Sequence, residues 1–388
     1  MAESDEPHMG TELPKSYPRF RESLGTSKKE FALAFGLLGL YFYLRLMNIE
    51  ATTVVVLGFL IGSWLAFRPS GWAVAGIESA SGHMGHTTYM AGILSSLASN
   101  MPEAIVSGFA AWIGYSANKP ALLDIAVLSV LISAGFNMLL LGSAVVVLSR
   151  GKGSIKVPKE AIKKDLVLTR WTVVALAIIF ALGVVDIAFM TGRDSIPPEA
   201  SFLLFLSYLV YAASLGGRPN VDESQRAVAY HRKRDAAALS VVGFAGIFVA
   251  GGILTSSVES LLENYAAVVS IVGNPITISA IILGAAGALP EHGIALMAAS
   301  KGKTSIALGN LIGGVLQIVL LIMGGIGIFV WIPLDRYVLF QIVVIAGSLW
   351  FLVNAISDDH ELDVFEGAMI ALLQLLVFAI LLWGGVSG

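Results

Sequence analysis

The sequence predicts an all-α polytopic membrane protein with about 11 transmembrane helices: one extra N-terminal helix followed by two inverted five-helix repeats. Three observations predict this fold, namely the composition, the length of the apolar blocks and an internal repeat. Of the 388 residues, 56% are hydrophobic and only 13% are charged, which is too apolar for a soluble domain. The apolar blocks are much longer than the roughly 10-residue alternating segments of an outer-membrane barrel, so they predict helices.

Eleven apolar blocks are candidate membrane spans. They cover residues 31–48, 51–67, 86–114, 121–148, 168–190, 199–217, 237–257, 274–299, 304–332, 336–356 and 364–385. Several exceed the roughly 20 residues that cross a bilayer, which predicts tilted or interrupted helices. Two weaker segments, 69–85 and 258–273, are either linkers or extensions of the preceding helices.

Basic residues are concentrated in alternate loops, which predicts the orientation of the chain. Six lie between residues 150 and 164 and five between 218 and 234, whereas the opposite loops carry only Lys119, Arg193 and Arg336. We therefore expect a cytoplasmic N-terminal segment (1–30), a cytoplasmic linker (218–236) and an external C-terminus. The sequence contains no cysteine, so disulfides and thiolate metal sites are excluded.

An internal repeat relates the two halves of the chain. SNMPEAIVSGFAAW at 99–112 corresponds to GALPEHGIALMAAS at 287–300, and LISAGFNMLLL at 131–141 corresponds to LIGGVLQIVLLI at 311–322. Each repeat, 51–217 and 237–385, contains five spans. Because five is odd, the two copies have opposite orientations in the membrane. This pattern is typical of inverted-repeat transporters, whose ion site lies near the midplane where interrupted helices meet.

Each repeat places a proline and a glutamate inside a span. A carboxylate at the membrane centre costs roughly 2.5–3.5 kcal/mol and marks a functional site. Pro102 and Pro290 lack an amide hydrogen, so they release carbonyl oxygens just before Glu103 and Glu291. Two glutamates from opposite repeats suit a divalent metal cation such as Ca²⁺. Protons would compete for the same oxygens, which predicts antiport.

Polar residues on the same helix faces are further candidates. Asn100, Ser133, Asn137 and Gln317 are candidate cation ligands, although membrane amides also serve as interhelical hydrogen-bond partners. His292 is a candidate for a proton pathway, for coordination or for a bond to a neighbouring carbonyl.

Two further polar groups lie in loops. The histidines at 83 and 86 are either a small metal cluster or solvated loop residues. The acidic loop 358–363 is most simply a solvated turn, with weak regulatory Ca²⁺ binding as the alternative.

At these motifs the chain resembles the calcium/cation antiporter superfamily. SNMPE with SAGFN, and GALPE with ALGNLIGGVLQ, are similar to its two alpha repeats, and the likeness covers most of residues 51–385. The pairs Glu291-His292 and Gln317-Ile318, and the extra helix 31–48, are most similar to the cation/proton exchanger branch. The resemblance implies a ten-helix inverted-repeat core, Ca²⁺ between the two glutamates, and alternating access by sliding of the first helix of each repeat.

The expected function is therefore secondary active exchange of Ca²⁺, or a similar divalent cation, for H⁺. The alternative is a Na⁺/Ca²⁺ exchanger of the same superfamily, and a cation channel is less favoured because channel filters usually need symmetric oligomers. The second motif has Gly313 and Gly314 where a sodium site would need hydroxyls, which favours protons. The sequence has neither an HExxH nor a GxSxG motif, so no such motif predicts an enzyme. We expect inorganic cations and membrane lipids as partners, with no cofactor and no nucleic acid.

Overall fold

The computed structural model describes residues 18, 20–47, 49, 52–86, 88–157, 159–189, 195–216, 227–300 and 304–384. Within these, it describes only the backbone of 21, 88–89, 159–164, 215–216, 289–300, 304–307 and 383–384.

The described residues are overwhelmingly helical. Up to residue 216 the helices are α1 (Phe20–Ser23), α2 (Lys28–Leu46), α3 (Thr52–His83), α4 (Thr88–Ser99), α5 (Met101–Ser116), α6 (Pro120–Ser149), α7 (Lys159–Phe189) and α8 (Pro198–Gly216). After it come α9 (Lys233–Val269), α10 (Pro275–Ser300), α11 (Thr304–Leu316), a π-helical segment (Gln317–Met323), α12 (Gly324–Phe329), α13 (Arg336–Asp359) and α14 (Val364–Gly384). Four short strands join them: β1 (Ser154–Lys156), β2 (Ser195–Ile196), β3 (Ile332–Pro333) and β4 (Glu361–Asp363).

Every predicted span falls on helical structure. The extra helix is α2; the first repeat is α3, α4 with α5, α6, α7 and α8; and the second is α9, α10, α11 through α12, α13 and α14. Seven helical stretches of the described chain are long and apolar enough to cross a membrane: Thr52–His83, Pro120–Ser149, Asp165–Phe189, Lys233–Val269, Leu308–Phe329, Arg336–Asp359 and Val364–Leu382. The weak segments 69–85 and 258–273 lie mainly in extensions of α3 and α9, so the linker alternative is wrong.

The two proline motifs differ in their backbone. The first helix is interrupted at Asn100, between α4 and α5, and Pro102 lies in the first turn of α5. The second motif helix, α10, continues through Pro290 to Ser300. The prediction of an interrupted helix is therefore correct for the first repeat and wrong for the second. A proline removes only one backbone hydrogen bond, and neighbouring helices can hold a membrane helix continuous around it.

Two β-ribbons reproduce the inverted symmetry outside the membrane core. β1, which follows α6, pairs antiparallel with β4, which follows α13. β2, which follows α7, pairs antiparallel with β3, which follows α12. Exchanging the repeats converts one ribbon into the other. Pairing also requires β1 and β4 to lie on the same membrane face, which agrees with the six spans that separate them.

Close helix packing depends on small residues. The long helices α3 and α9 lie against each other, and a Cβ atom at Gly243 would lie 2.6 Å from the Pro69 carbonyl oxygen. α6 is packed between α10 and α14, and a Cβ atom at Gly142 would lie 2.5 Å from the Gly367 carbonyl oxygen. Backbones that approach this closely gain the van der Waals contact that replaces hydrophobic driving force inside a bilayer. The motif helices α5, α6, α10 and α11 consequently meet at the centre.

Candidate cation-binding site

Glu103 is buried at the start of α5, where only 1% of its surface is exposed. Ser107, one turn later on the same face, donates a hydrogen bond of 3.0 Å to Glu103 Oε1. The Ser107 hydroxyl in turn lies 3.1 Å from the Ser129 hydroxyl of α6. Hydrogen bonding by hydroxyls offsets part of the cost of burying a carboxylate.

The carboxylate of Glu103 points at the second repeat. A Cβ atom at Gly287 of α10 would lie 1.9 Å from Glu103 Oε2, so only a glycine leaves room for this oxygen. Gly287 is the first residue of GALPE, and Glu291 follows four residues later, about 6 Å along a helix axis. The structure thus brings Glu103 to the glutamate motif of α10. The side chains of Glu291 and His292 lie outside the described part of the chain, so their roles remain predictions.

Asn100 occupies the break between α4 and α5. Its side chain makes no capping bond to α5. Instead its Nδ2 donates a hydrogen bond of 2.7 Å to Gln317 Oε1, and the Ser96 hydroxyl donates a longer bond of 3.3 Å to the same oxygen. Both amides are buried, with 2% and 1% of their surfaces exposed. The predicted candidates Asn100 and Gln317 therefore meet across the repeat boundary.

Ser133 and Asn137 lie one turn apart on α6 and have no exposed surface. A Cβ atom at Gly284 of α10 would lie 2.7 Å from the Ser129 carbonyl oxygen and 3.3 Å from the Ser133 amide nitrogen. Among the described residues, the Ser133 hydroxyl has no hydrogen-bond partner. This hydroxyl oxygen is therefore available to coordinate a cation.

Symmetry-related contacts show that the two-fold axis passes through this region. Ser96 lies beside Gly313, whose Cβ atom would be 4.0 Å from the Ser96 hydroxyl, just as Gly284 lies beside Ser133. The repeat offsets of 188 and 180 residues convert the first contact into the second. The chemistry is nevertheless asymmetric, because the counterpart of Asn100 is Ala288, which carries no polar group.

Sequence analysis did not single out Ser96 and Ser129. Ser96 precedes Asn100 by four residues, and Ser129 precedes Ser133 by four. Residues four apart share a helix face, so this spacing could have identified both hydroxyls.

His83 is the last residue of α3, and His86 follows just after it. Nε2 of His83 lies 2.8 Å from the carbonyl oxygen of His231, to which it donates a hydrogen bond. Nδ1 of His231 lies 3.1 Å from the Ser23 hydroxyl, and burial lowers the pKa of His231 below its usual value. No group of three His, Cys, Asp or Glu residues in the described chain could hold a metal ion. The described residues therefore supply no three-ligand cluster that includes His83 or His86.

The acidic loop has a structural role. Its residues 361–363 form β4, and Asp363 and Glu366 exchange backbone-to-side-chain hydrogen bonds of 2.7 and 3.0 Å at the start of α14. This reciprocal pair is a capping box. These contacts give Asp363, the last acidic residue of the loop, a partner within the chain.

Ion pairs join the turn between α5 and α6 to α9. Lys119, in the turn between α5 and α6, forms ion pairs with Glu259 and with Glu263, the latter at 2.7 Å. The bond to Glu259 is the largest cause that raises the pKa of Lys119 well above its usual value.

The sequence matches one family model over both repeats. The model is described as sodium/calcium exchanger protein and matches residues 50–216 and 236–383. The chain belongs to this family. The sodium/calcium exchanger family consists of transporters and is not an enzyme class, so the match confirms the predicted membrane antiporter and the resemblance to the calcium/cation antiporter superfamily. No curated protein matches the chain.

Solved structures of exchangers share the fold. The H⁺/Ca²⁺ exchanger CAX is 16% identical with a TM-score of 0.70, over 95% of this chain and 94% of that one. YfkE is 19% identical with a TM-score of 0.64, over 91% and 99%. The sodium-calcium exchanger NCX_Mj is 19% identical with a TM-score of 0.58, over 85% and 99%. This exchanger-family chain therefore has the polytopic inverted-repeat architecture of those transporters.

Proposed function

We propose that the protein is a secondary active antiporter that exchanges Ca²⁺, or a similar divalent cation, for H⁺ by alternating access. The observation that carries the proposal is the position of Glu103, a buried carboxylate seated on Gly287 at the glutamate motif of the other repeat. In this proposal Glu103 and Glu291 hold the cation. Asn100, Asn137, Gln317 and Ser133 supply neutral oxygens around it.

A divalent cation suits this set of groups. Ca²⁺ takes six to eight oxygen ligands from carboxylates, amides, carbonyls and water. Two carboxylates neutralise its charge inside the membrane, where an unbalanced charge is costly. When the cation leaves, the same oxygens hold protons, because two carboxylates at one low-dielectric site do not both remain ionised. Proton and cation binding then exclude one another, which is the requirement for exchange. His292 is proposed as part of the proton pathway.

The distribution of hydroxyls supports protons as the driving ion. Serines of the first repeat surround the site, and each has a glycine or alanine at its counterpart position in the second. The serines at 96, 99, 107, 129 and 133 correspond to Gly284, Gly287, Ala295, Gly309 and Gly313. Extra monovalent sites would be built from hydroxyl and carbonyl oxygens of both repeats. The second repeat supplies no hydroxyl at these positions.

Exchange of Ca²⁺ for Na⁺ is the second candidate function. The observation that favours it is the Ser133 hydroxyl, which is buried and has no hydrogen-bond partner among the described residues. Such an oxygen could complete a sodium site on the first repeat alone. The structural likeness to both kinds of exchanger supports Ca²⁺ exchange and leaves the driving ion to experiment.

The decisive experiment is Ca²⁺ flux into liposomes with choline replacing sodium. We expect a pH gradient alone to drive uptake by the wild-type protein, and no uptake by Glu103→Gln. If the pH gradient has no effect and sodium restores uptake, the protein is a Na⁺/Ca²⁺ exchanger. If Ca²⁺ moves without any counter-ion gradient and at channel rates, antiport is wrong.

The proposed orientation follows from the basic loops. The N-terminal segment 1–30 and the linker 218–236 lie in the cytoplasm, and the C-terminus lies outside. The repeats are proposed to span 51–217 and 237–385, with 31–48 as the extra helix. Only inorganic ions and lipids are needed as partners, and no cofactor takes part.

A further inference from the structure

The helix that follows the glutamate-motif helix α10 contains a π-helical segment, Gln317–Met323, between α11 and α12. A π-helix has i→i+5 hydrogen bonds, is rare, and often occurs at functional sites. The corresponding stretch of the first repeat, 137–143, is part of the uninterrupted α-helix α6. The π segment therefore belongs to one repeat only, and it starts at the proposed ligand Gln317.

The π segment changes the directions in which the residues before and after it face. In an α-helix, residues seven apart share a face. On α6, Gly135 and Gly142 accordingly both contact α14. Gly324 also lies seven residues after Gln317. Yet Gln317 contacts Asn100 at the centre of the molecule, whereas Gly324 contacts the outer helix α8, whose Leu203 and Val210 are exposed to the membrane side.

The two sides of the π segment are packed differently. On the α12 side, a Cβ atom at Gly324 would lie 2.8 Å from the Phe205 amide nitrogen, and one at Gly327 would lie 2.2 Å from the Ser201 hydroxyl. On the α11 side, a Cβ atom at Gly313 would meet only the Ser96 hydroxyl, at 4.0 Å, among the described atoms. No described atom lies within 4 Å of a Cβ atom at Gly309. α12 is therefore packed closely against α8. α11 has open space at these two glycines among the described atoms, whereas its Leu308, Leu311 and Val315 are fully buried, so turning α11 must slide these side chains over their neighbours.

We propose that the π segment is a pivot on which α11 turns, so that the bond between Gln317 and Asn100 is made in one transport state and released in another. The inference rests on the proposed function and deepens it, because it assigns a positioning role to a segment outside the ligand set. Turning α11 relative to the fixed α12 carries Gln317 away from Asn100 and Ser96. The cation loses a neutral ligand, and release follows.

A reversible cross-link tests the pivot, since the chain has no cysteine of its own. In the double variant Ser96→Cys with Gly313→Cys, the sulfur at 96 replaces a hydroxyl that lies 4.0 Å from the Cβ position at 313, so a small rotation of either side chain lets the two sulfurs meet. We expect the oxidised protein to bind ⁴⁵Ca²⁺ but to lose transport, and reductant to restore transport. The control pair, Phe205→Cys with Gly325→Cys, fixes α12 to α8 and should leave transport unchanged.

Two results of the cross-link would overturn the pivot. One is transport by the oxidised Ser96→Cys with Gly313→Cys protein at the rate of the reduced protein. The other is loss of ⁴⁵Ca²⁺ binding together with transport, because α11 would then have a static role. Failure of the proposed function looks different, since wild-type protein would then show no Ca²⁺ exchange at all.

A π turn contains one residue more than an α turn, because its hydrogen bonds join residues i and i+5. A deletion tests whether this additional residue is what makes the pivot. Leu321 is partly exposed within the π segment. Its deletion should give a regular α-helix that still directs Gln317 to Asn100 and α12 to α8, so the protein should fold and bind Ca²⁺ but not transport it. The matched deletion of Leu140 from α6 should prevent folding, because it shifts Gly142 off α14. Wild-type transport, or misfolding equal to that of the Leu140 deletion, would overturn the pivot.

Discussion

The carboxylate of Glu103 lies on the backbone of Gly287, the residue that opens the glutamate motif of the opposite repeat. The repeat offset of 188 residues pairs Gly287 with Ser99 and Glu103 with Glu291. The position that seats Glu103 is thus a glycine in the second repeat, whereas its counterpart in the first repeat is a serine. The two repeats are therefore chemically unequal at this pair of positions.

Glu103→Gln and Glu291→Gln should each abolish transport and leave a folded, extractable protein. Each change removes one charge that a divalent cation needs, while a neutral amide is easier to bury than a carboxylate. The measurement is Ca²⁺ uptake in liposomes, with size-exclusion chromatography to confirm folding. Wild-type exchange by either variant would disprove the paired-carboxylate site.

Gly287→Ala should abolish Ca²⁺ transport. A methyl group would lie 1.9 Å from Glu103 Oε2, so it must displace the carboxylate from the site. The matched control is Gly108→Ala on α5, where no described atom lies within 4 Å of a Cβ atom. We expect the control to transport normally. Equal activity of the two alanine variants would show that transport does not require the position of Glu103 beside Gly287.

Asn100→Ala should lower the apparent affinity for Ca²⁺ as well as the stability. The change leaves Gln317 Oε1 with only the longer 3.3 Å bond from Ser96, and losing a hydrogen bond costs about 0.5–1.5 kcal/mol. Ser348→Ala is the control, because it breaks the equally buried 2.6 Å bond from Gln374 Nε2 on α14. Both variants should lose thermal stability, but only Asn100→Ala should bind Ca²⁺ more weakly. Unchanged affinity would make Asn100 a purely structural residue.

The stability of the protein should depend on pH through His231, which contacts Ser23 and His83. Burial lowers the pKa of His231 in the folded protein, so the unfolded chain takes up its proton first as the pH falls. Relative to His231→Gln, the wild-type protein should lose stability as the pH falls from about 6.5 through the lower folded pKa, and should regain it above about 6.5. Thermal unfolding of both proteins across this range is the measurement. If the unfolding temperatures of the two proteins change with pH in the same way, the lowered pKa of His231 is contradicted.

Cysteine labelling should place the two ribbons on opposite faces of the membrane. Lys156→Cys and Glu361→Cys, partners in the first ribbon, should react with an impermeant reagent from the cytoplasmic side. Ser195→Cys, in the second ribbon, should react from outside. Labelling of positions 156 and 195 from the same side would contradict the odd number of spans between them and the inverted relation of the repeats.

The apolar blocks and the repeated motifs were enough to predict the helical spans and the inverted repeats, and to name Asn100 and Gln317 as candidates, although not their direct contact. These features depend on residue type and spacing, which a sequence displays. The π segment and the unbroken α10 were not predictable in this way. Both depend on whether neighbouring helices hold a backbone in place, as α8 does at Gly324. Ser96 was predictable from its four-residue spacing to Asn100, which places both side chains on one helix face.

The ribbon between β1 and β4 also determines when the protein can be completed during synthesis. Its strands, 154–156 and 361–363, are separated by about 200 residues, so β1 leaves the ribosome long before its partner exists. The nascent first half must stay in the bilayer with an unpaired strand edge at the surface, and unpaired edges promote aggregation. Closure of this ribbon is consequently one of the last steps of biogenesis, and it can occur only in chains that have inserted both halves.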